Sequence, residues 1–171
     1  NPFLEKLGVP KNKIAYIPNG IKKEFFHPLK TATKKNQILY TGRVAPIKNL
    51  EVAIKALSRI KNKNIKLKIF GPAEEDYLAN LKNLTKSPNL NERVIFETRQ
   101  YSYEEQIPKL DESKAFILPS KSEGMPQTLI EAMARGKIVL ASDNPGAKDL
   151  IQNKKNGYLF KSENAEDLAQ K

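Results

Sequence analysis

Short apolar runs recur along the 171-residue chain, and stretches of helical period separate most of them. The runs are Gln37–Thr41, Lys66–Phe70, Val94–Phe96, Ala115–Leu118, Ile138–Ala141 and Tyr158–Phe160. Between the first two, Leu50, Ala53, Ile54, Leu57 and Ile60 fall at three- and four-residue spacing; Tyr77, Leu78, Leu81 and Leu84 repeat the pattern after Phe70. Strands that alternate with helices pair in parallel, because each helix returns the chain to the end where the previous strand began. The expected fold is therefore α/β: a Rossmann-like, doubly wound parallel sheet with helices on both faces, built as one domain over residues 1–171. Local signals add detail. Lys13–Ile17 reads as a further short strand, turned by Pro18-Asn19-Gly20, and Phe25-Phe26-His27-Pro28 as a loop with aromatic anchors. Asn49 reads as the cap of a helix to Ile60, and Ser102 with Glu105 as a capping box. A short helix is expected over Lys148–Ile151 and another from Ala165 onward.

Open parallel sheets bind ligands outside the carboxyl ends of their strands. The turns that matter are then Gly42-Arg43, Gly71-Pro72, Thr98–Tyr101, Ser120–Pro126 and Ser142–Gly146, and the distinctive polar groups fall within them. One stretch, Leu118–Gly136, runs from a strand end through a Gly- and Pro-containing loop into a helix. Pro126 and Gln127 stand at its start and Gly136 just past its end. A helix N-terminus offers unpaired amides to anions, and here Glu123 and Glu131 flank it. That combination suits a phosphorylated sugar.

Charge bears on the partner. Thirty Lys and Arg against nineteen Asp and Glu leave a net charge of +11, so an anionic partner has to be weighed. The basic residues are mostly lysines scattered as in Lys61–Lys66, with little Arg, no basic helix and no aromatic nucleic-acid motif, which argues against nucleic acid. A solvated lysine surface, recruitment of anionic substrates and peripheral contact with an anionic membrane stay open. The absence of Cys excludes disulfides and thiolate metal sites and fits a reducing, cytoplasmic setting, possible at the inner membrane face. Asn1-Pro2-Phe3-Leu4 has neither a signal-peptide core nor an initiator Met, so the chain reads as a piece of a longer one. His27, the single histidine, reads as a packing or surface group.

A series of short motifs carries a resemblance. Pro18-Asn19-Gly20, Gly42-Arg43 with Lys48-Asn49, Phe70-Gly71, Pro119-Ser120, Glu123-Gly124-Met125-Pro126, Glu131-Ala132-Met133-Ala134-Arg135-Gly136, Pro145-Gly146 and Asn156-Gly157 occur in that order. Together they resemble the C-terminal, donor-binding half of family 4 glycosyltransferases, retaining enzymes of the two-domain GT-B fold, across nearly the whole chain. The resemblance implies that Arg43 and Lys48 hold the donor diphosphate, as catalytic residues alongside Glu123, which contacts the donor sugar. It implies that Glu131 accepts from the ribose diol, a task for an ionised carboxylate. Gly124, Met125 and Pro126 shape the loop, the amides near Thr128 and Leu129 receive phosphate oxygens, and Gly71 lets the backbone approach the ligand. Arg99 and Gln100 lie where such proteins meet the nucleobase. The implied donor is a UDP-, GDP- or ADP-linked sugar, with no cofactor and no metal, since Arg43, Lys48 and the helix start supply the positive field. The acceptor domain would precede this chain, and the fragment would bind donor yet transfer little. Two departures stand out: Pro145-Gly146-Ala147-Lys148-Asp149 replaces the usual two glycines before Pro-Glu, and Pro72 follows Gly71 where many members have a second glycine.

Other classes make different demands. A sugar-nucleotide epimerase of the same architecture would need additional catalytic acids and histidines, which a single His27 does not provide. A non-catalytic nucleotide-binding or nucleic-acid-binding domain would carry similar binding groups.

Overall fold

The computed structural model describes residues 2–15, 17–27 and 34–171. Six strands, β1 (Lys34–Thr41), β2 (Lys66–Phe70), β3 (Val94–Glu97), β4 (Ser113–Leu118), β5 (Ile138–Ser142) and β6 (Tyr158–Phe160), form one sheet in the order β3-β2-β1-β4-β5-β6, and every pairing is parallel. The chain winds outward from β1 to β3, crosses back, and winds the other way from β4 to β6. Right-handed crossovers in opposite directions put the helices on opposite faces. Accordingly α2 (Leu50–Arg59) packs with α3 (Glu75–Leu84) and α7 (Ala165–Gln170), while α4 (Tyr103–Glu112) and α5 (Gln127–Ala134) cover β1, β4 and β5. Completing the set are α1 (Pro2–Lys6) and α6 (Pro145–Lys148).

The inner strands are apolar on both faces because both are covered: Leu39, Tyr40, Ile69, Phe70, Phe116 and Leu118 are all buried. A polar pair sits among them, Gln37 Nε2 donating to Ser113 Oγ at 2.9 Å between β1 and β4. These two strands are adjacent where the winding reverses, so their carboxyl ends, Thr41-Gly42-Arg43 and Leu118-Pro119-Ser120, open the crevice in which such sheets bind ligands.

Several local expectations change. Among the described residues of 13–17 no strand forms: Lys11–Lys13 is a 3-10 turn, Ile14 and Ala15 lie outside any strand and Ile17 is exposed, while Tyr16 falls outside the described residues. Alternation in that run has no neighbouring strand to pair with. Lys23–Phe26 is likewise a 3-10 turn that buries Phe25 and exposes Phe26, and Pro28 lies outside the described residues. Asn49 stands at the N-cap position of α2, yet its side chain makes no cap bond, because the residue is held in the left-handed region (φ 51°) by the preceding 3-10 turn Pro46–Lys48. The helix expected over 148–151 occupies Pro145–Lys148, since Asn144 Oδ1 accepts from Ala147 N at 3.0 Å and starts it earlier. The capping box of α4 forms as expected, with Ser102 N donating to Glu105 at 3.1 Å.

Candidate active site at the strand ends

Two cavities lie side by side over the carboxyl ends of β1 and β4. One, of about 330 Å³, has Glu131, Gln106, Gln100, Tyr101 and Tyr103 in its wall. The other, of about 300 Å³, has Lys48, Glu123, Met125, Pro126 and Asn19. Arg43, Gln127 and Thr128 line both, so the start of α5 and the end of β1 form the ridge between them.

Backbone packing creates this ridge. Gly71 has φ 140°, and a Cβ there would come within 2.2 Å of Gly42 O. The missing side chain thus lets the β2 turn nest against the β1 turn, where Gly42 N donates to Phe70 O at 3.1 Å. Ligand approach is a separate role that this packing leaves open. Tyr40, buried beneath, donates its hydroxyl to Arg43 O at 2.7 Å and fixes the turn from below. Burial first, then the nearby charge of Glu123, push this phenol far above its ordinary pKa, so it stays a donor. The Arg43 side chain projects into solvent at 65% exposure, with Glu74 4.0 Å away, and so remains available to an anion.

On the second cavity, the 3-10 turn Pro46–Lys48 lies against the β4 loop, Lys121 N donating to Ile47 O at 2.9 Å. Lys48 Nζ consequently reaches Glu123 Oε1 at 2.7 Å, with both side chains mostly shielded. The loop carrying Glu123 is clamped from behind. Asn144 Nδ2 donates to Ser120 O at 3.1 Å, Ser142 Oγ donates to the same carbonyl, and a Cβ on Gly146 would meet Gly124 O at 2.5 Å and Glu123 O at 2.6 Å. Gly146, set in an altered turn, is needed so that α6 can close on this loop.

At the ridge, the first-turn amides of Gln127 and Thr128 have no hydrogen-bond partner among the described residues. The Leu129 amide, expected to face a phosphate, instead donates to Pro126 O at 3.1 Å, and its side chain is fully buried. The tightened first turn spends that amide internally. Arg99 is also placed differently from expectation. Its guanidinium is drawn to Glu105 at 2.6 Å and Glu97 at 3.3 Å, away from both cavity walls, whereas Gln100 does line the Glu131 cavity. Gly124 carries no crowding around its missing side chain.

Glu131 is 5% exposed. Its Oε2 accepts from Gln106 Nε2 at 2.6 Å, and the same amide donates to Thr41 Oγ1 at 3.3 Å. Burial raises the carboxyl above its usual range, and the Gln106 bond partly offsets that. For an acid raised on folding, ionisation costs the fold nothing below the unfolded pKa. The cost grows as pH rises toward the folded pKa and is complete above it. Glu131→Gln keeps the acceptor for Gln106 and removes the cost. The variant is expected to melt higher than the parent at neutral pH, by about 2–4 °C per kcal/mol released, with the difference vanishing in acid. Thermal melts across pH measure this, and a variant less stable at neutral pH would contradict it.

Sequence reasoning did not single out Gln106, Tyr40 or Asn19. Asn19 N donates to Met125 Sδ at 2.8 Å, which brings the Pro18–Gly20 turn to the cavity wall. Only its place in the motif series hinted at this. Gln106, mid-helix, gave no sequence signal.

The chain is similar in sequence and fold to known proteins. Residues 21–171 match the family described as glycosyl transferases group 1. An uncharacterized glycosyltransferase of Haemophilus influenzae is 32% identical over 94% of this chain and 40% of its own length. A UDP-Gal:alpha-D-GlcNAc-diphosphoundecaprenol alpha-1,3-galactosyltransferase of Escherichia coli is 33% identical over 92% of this chain and 43% of its own length. Among solved structures, a mutant of S. aureus TarM in complex with fondaparinux, alpha-GlcNAc-glycerol and UDP superposes with a TM-score of 0.81 at 25% identity, over 99% of this chain and 33% of that one. The chain therefore spans less than half the length of these relatives. With the parallel sheet, its strand-end crevice and these matches together, the chain belongs to the group 1 glycosyl transferases and has the Rossmann-like fold of a GT-B domain.

Proposed function

We propose that this chain is the donor-binding domain of a retaining, metal-independent family 4 glycosyltransferase. The observation that carries the reading is the pair of adjoining cavities, with a different acid in each and Arg43 on the ridge between them. A nucleoside diphosphate sugar has that layout. The nucleoside occupies the Glu131 cavity, its ribose diol donating to the carboxylate. The diphosphate crosses the ridge, where the Arg43 guanidinium and the Gln127 and Thr128 amides meet its oxygens. The sugar enters the second cavity beside Glu123 and Lys48. Charge that develops on the departing diphosphate is then met by Arg43, Lys48 and the start of α5, which is the work a divalent cation would otherwise do. Glu123 and Glu131, in separate cavities, do not act as the two carboxylates of a glycoside hydrolase. Glu123 orients the sugar, and the departing phosphate assists the incoming hydroxyl from the same face.

UDP in the TarM complex and the UDP-Gal donor in the name of the E. coli relative both support a nucleotide-linked donor here. That relative's lipid-diphosphate acceptor also makes contact of the full-length protein with an anionic membrane part of this reading. Among the described residues no helix is long and apolar enough to cross a membrane. On this reading the acceptor is held by a part of the full-length protein that this chain does not span, so the isolated chain binds donor and transfers little.

Thermal melts with UDP, GDP, ADP and their sugars test this. One nucleotide is expected to stabilise the chain by about 2.7 kcal/mol at a hundredfold excess over its Kd. If none shifts the melt at millimolar concentration, the proposal fails.

A further inference from the structure

The contact between Gln106 and Glu131 has a consequence for the site. We infer that Gln106 is the positioning residue that keeps Glu131 ionised and oriented for a ribose diol, a role that rests on the donor-binding reading above. Gln106 is 2% exposed and sits in the first half of α4. Its amide nitrogen faces both Glu131 Oε2 at 2.6 Å and Thr41 Oγ1 at 3.3 Å, the orientation that suits an ionised carboxylate, which accepts and cannot donate. Both amide protons are used, one on Glu131 Oε2 and the other directed at Thr41 Oγ1, the last residue of β1. One side chain thereby joins α4, α5 and β1 where the sheet's winding reverses.

A neutral donor is the group this position calls for. Lys or Arg would form an ion pair with Glu131 and compete with the ligand for its charge. An apolar residue would leave the buried carboxylate unsupported and drive it to its protonated form. A protonated acid accepts poorly from two hydroxyls at once. Gln106 supplies the bond and leaves the negative charge to the ligand. Glu131 Oε1 has no hydrogen bond among the described residues, so one oxygen is anchored while the other stays open to a diol. The position of Gln106 is itself secured. The Ser102–Glu105 capping box fixes the start of α4, and Phe25 packs edge-on against Tyr103 at 6.1 Å.

The charged and titratable groups sharing the Glu131 cavity are Arg43, Tyr101 and Tyr103. Burial pushes the Tyr101 phenol up to about 12.

Calorimetric titration of this chain with UDP and 2′-deoxy-UDP, repeated from mildly acidic to mildly basic pH, tests the role. GDP and 2′-deoxy-GDP replace them if the parent binds guanine instead. The parent is expected to favour the ribonucleotide by about tenfold or more, as a hydrogen bond to a charged group predicts. In Gln106→Met the UDP affinity falls by a comparable factor in mild acid. Most of that preference is lost, and the pH at which UDP binding weakens moves upward. Thr41→Val, which spares the 2.6 Å bond but releases the second proton, shifts the same quantities less and serves if Gln106→Met does not fold. Unliganded melts identify folded variants. An unchanged ribose preference and unchanged pH profile in a folded Gln106→Met, or in Thr41→Val if that is the variant that folds, overturn the inference alone. A parent that binds UDP without preferring ribose overturns the donor reading itself and this inference with it.

Discussion

Glu123→Gln is expected to lower the turnover of the full-length protein by about 10²–10³-fold, the range seen when one electrostatic contact to a transition state is removed. The same change should leave nucleoside diphosphate affinity of this chain nearly untouched. The reason lies in the two-cavity layout. Glu123 shares its cavity with Lys48, 2.7 Å away, while the cavity proposed for the nucleoside is walled by Glu131, Gln106 and the tyrosines. Gln fills the same volume and can still accept from Lys48. It loses the charge that holds Lys48 and that favours positive character at the reacting sugar carbon. Glu131→Gln should do the reverse, weakening nucleotide binding while preserving the Glu123–Lys48 pair. Turnover of the full-length variants, set beside UDP or GDP titration of this chain, separates the two acids. If Glu123→Gln abolished nucleotide binding and left turnover per bound donor unchanged, the assignment of the two ends would be reversed.

Asp111→Ala is expected to cost about 3–5 kcal/mol, a large share of the roughly 5–15 kcal/mol by which a domain is stable. Asp111 and Arg135 are both 1% exposed at the side chain and meet in a two-pronged ion pair, with Nε on Oδ1 and Nη2 on Oδ2, each at 2.7 Å. Arg135 Nη1 also donates to Phe25 O at 3.2 Å and to His27 O. Lys137, itself buried and with its pKa lowered by that burial, donates to Asp111 O at 3.0 Å. The Ala variant leaves a buried guanidinium without its carboxylate, beside a second buried cation. The cost comes from that uncompensated charge rather than from the pair's net worth. Replacing both members, Asp111→Leu with Arg135→Met, should therefore recover much of the loss. Denaturant unfolding of the single and double variants measures it. A loss under about 1 kcal/mol in Asp111→Ala would mean that water reaches the Arg135 head group. Because Arg135 holds the carbonyls of Phe25 and His27, the same variant should loosen the segment that brings Asn19 to the cavity wall.

Much of the architecture was legible because it depends on periodicity. The run Lys66–Phe70 is β2 residue for residue, and Tyr158–Phe160 is β6, since an apolar run between breakers can be buried in only a few ways. Lys13–Ile17 shows the limit. A run of strand-forming residues says nothing about whether a neighbouring edge exists to pair with it, and here it did not become a strand. Asn49 shows another limit. Its residue type favours a cap, but the 3-10 turn that delivers Lys48 to Glu123 puts it in the left-handed region, and its side chain does not cap.

The candidate site residues divide in the same way. Arg43, Lys48, Glu123 and Glu131 could be picked out because strand-end turns and short motifs mark them, and the fold gathers all four around one pair of cavities. Arg99 and Leu129 stand in equally prominent places, yet one is claimed by Glu97 and Glu105 and the other by Pro126, neighbours whose geometry no motif records. Gln106 and Glu131 are 25 residues apart, Asp111 and Arg135 24, and Arg135 and Phe25 110. On its own, the sequence determined the parallel α/β sheet and which strand ends carry the polar chemistry, because both follow from local pattern. Only the tertiary structure decided which donor faces which acid. Burial raises the value of such a pairing, and burial depends on the packing of α4, α5 and β1 against one another.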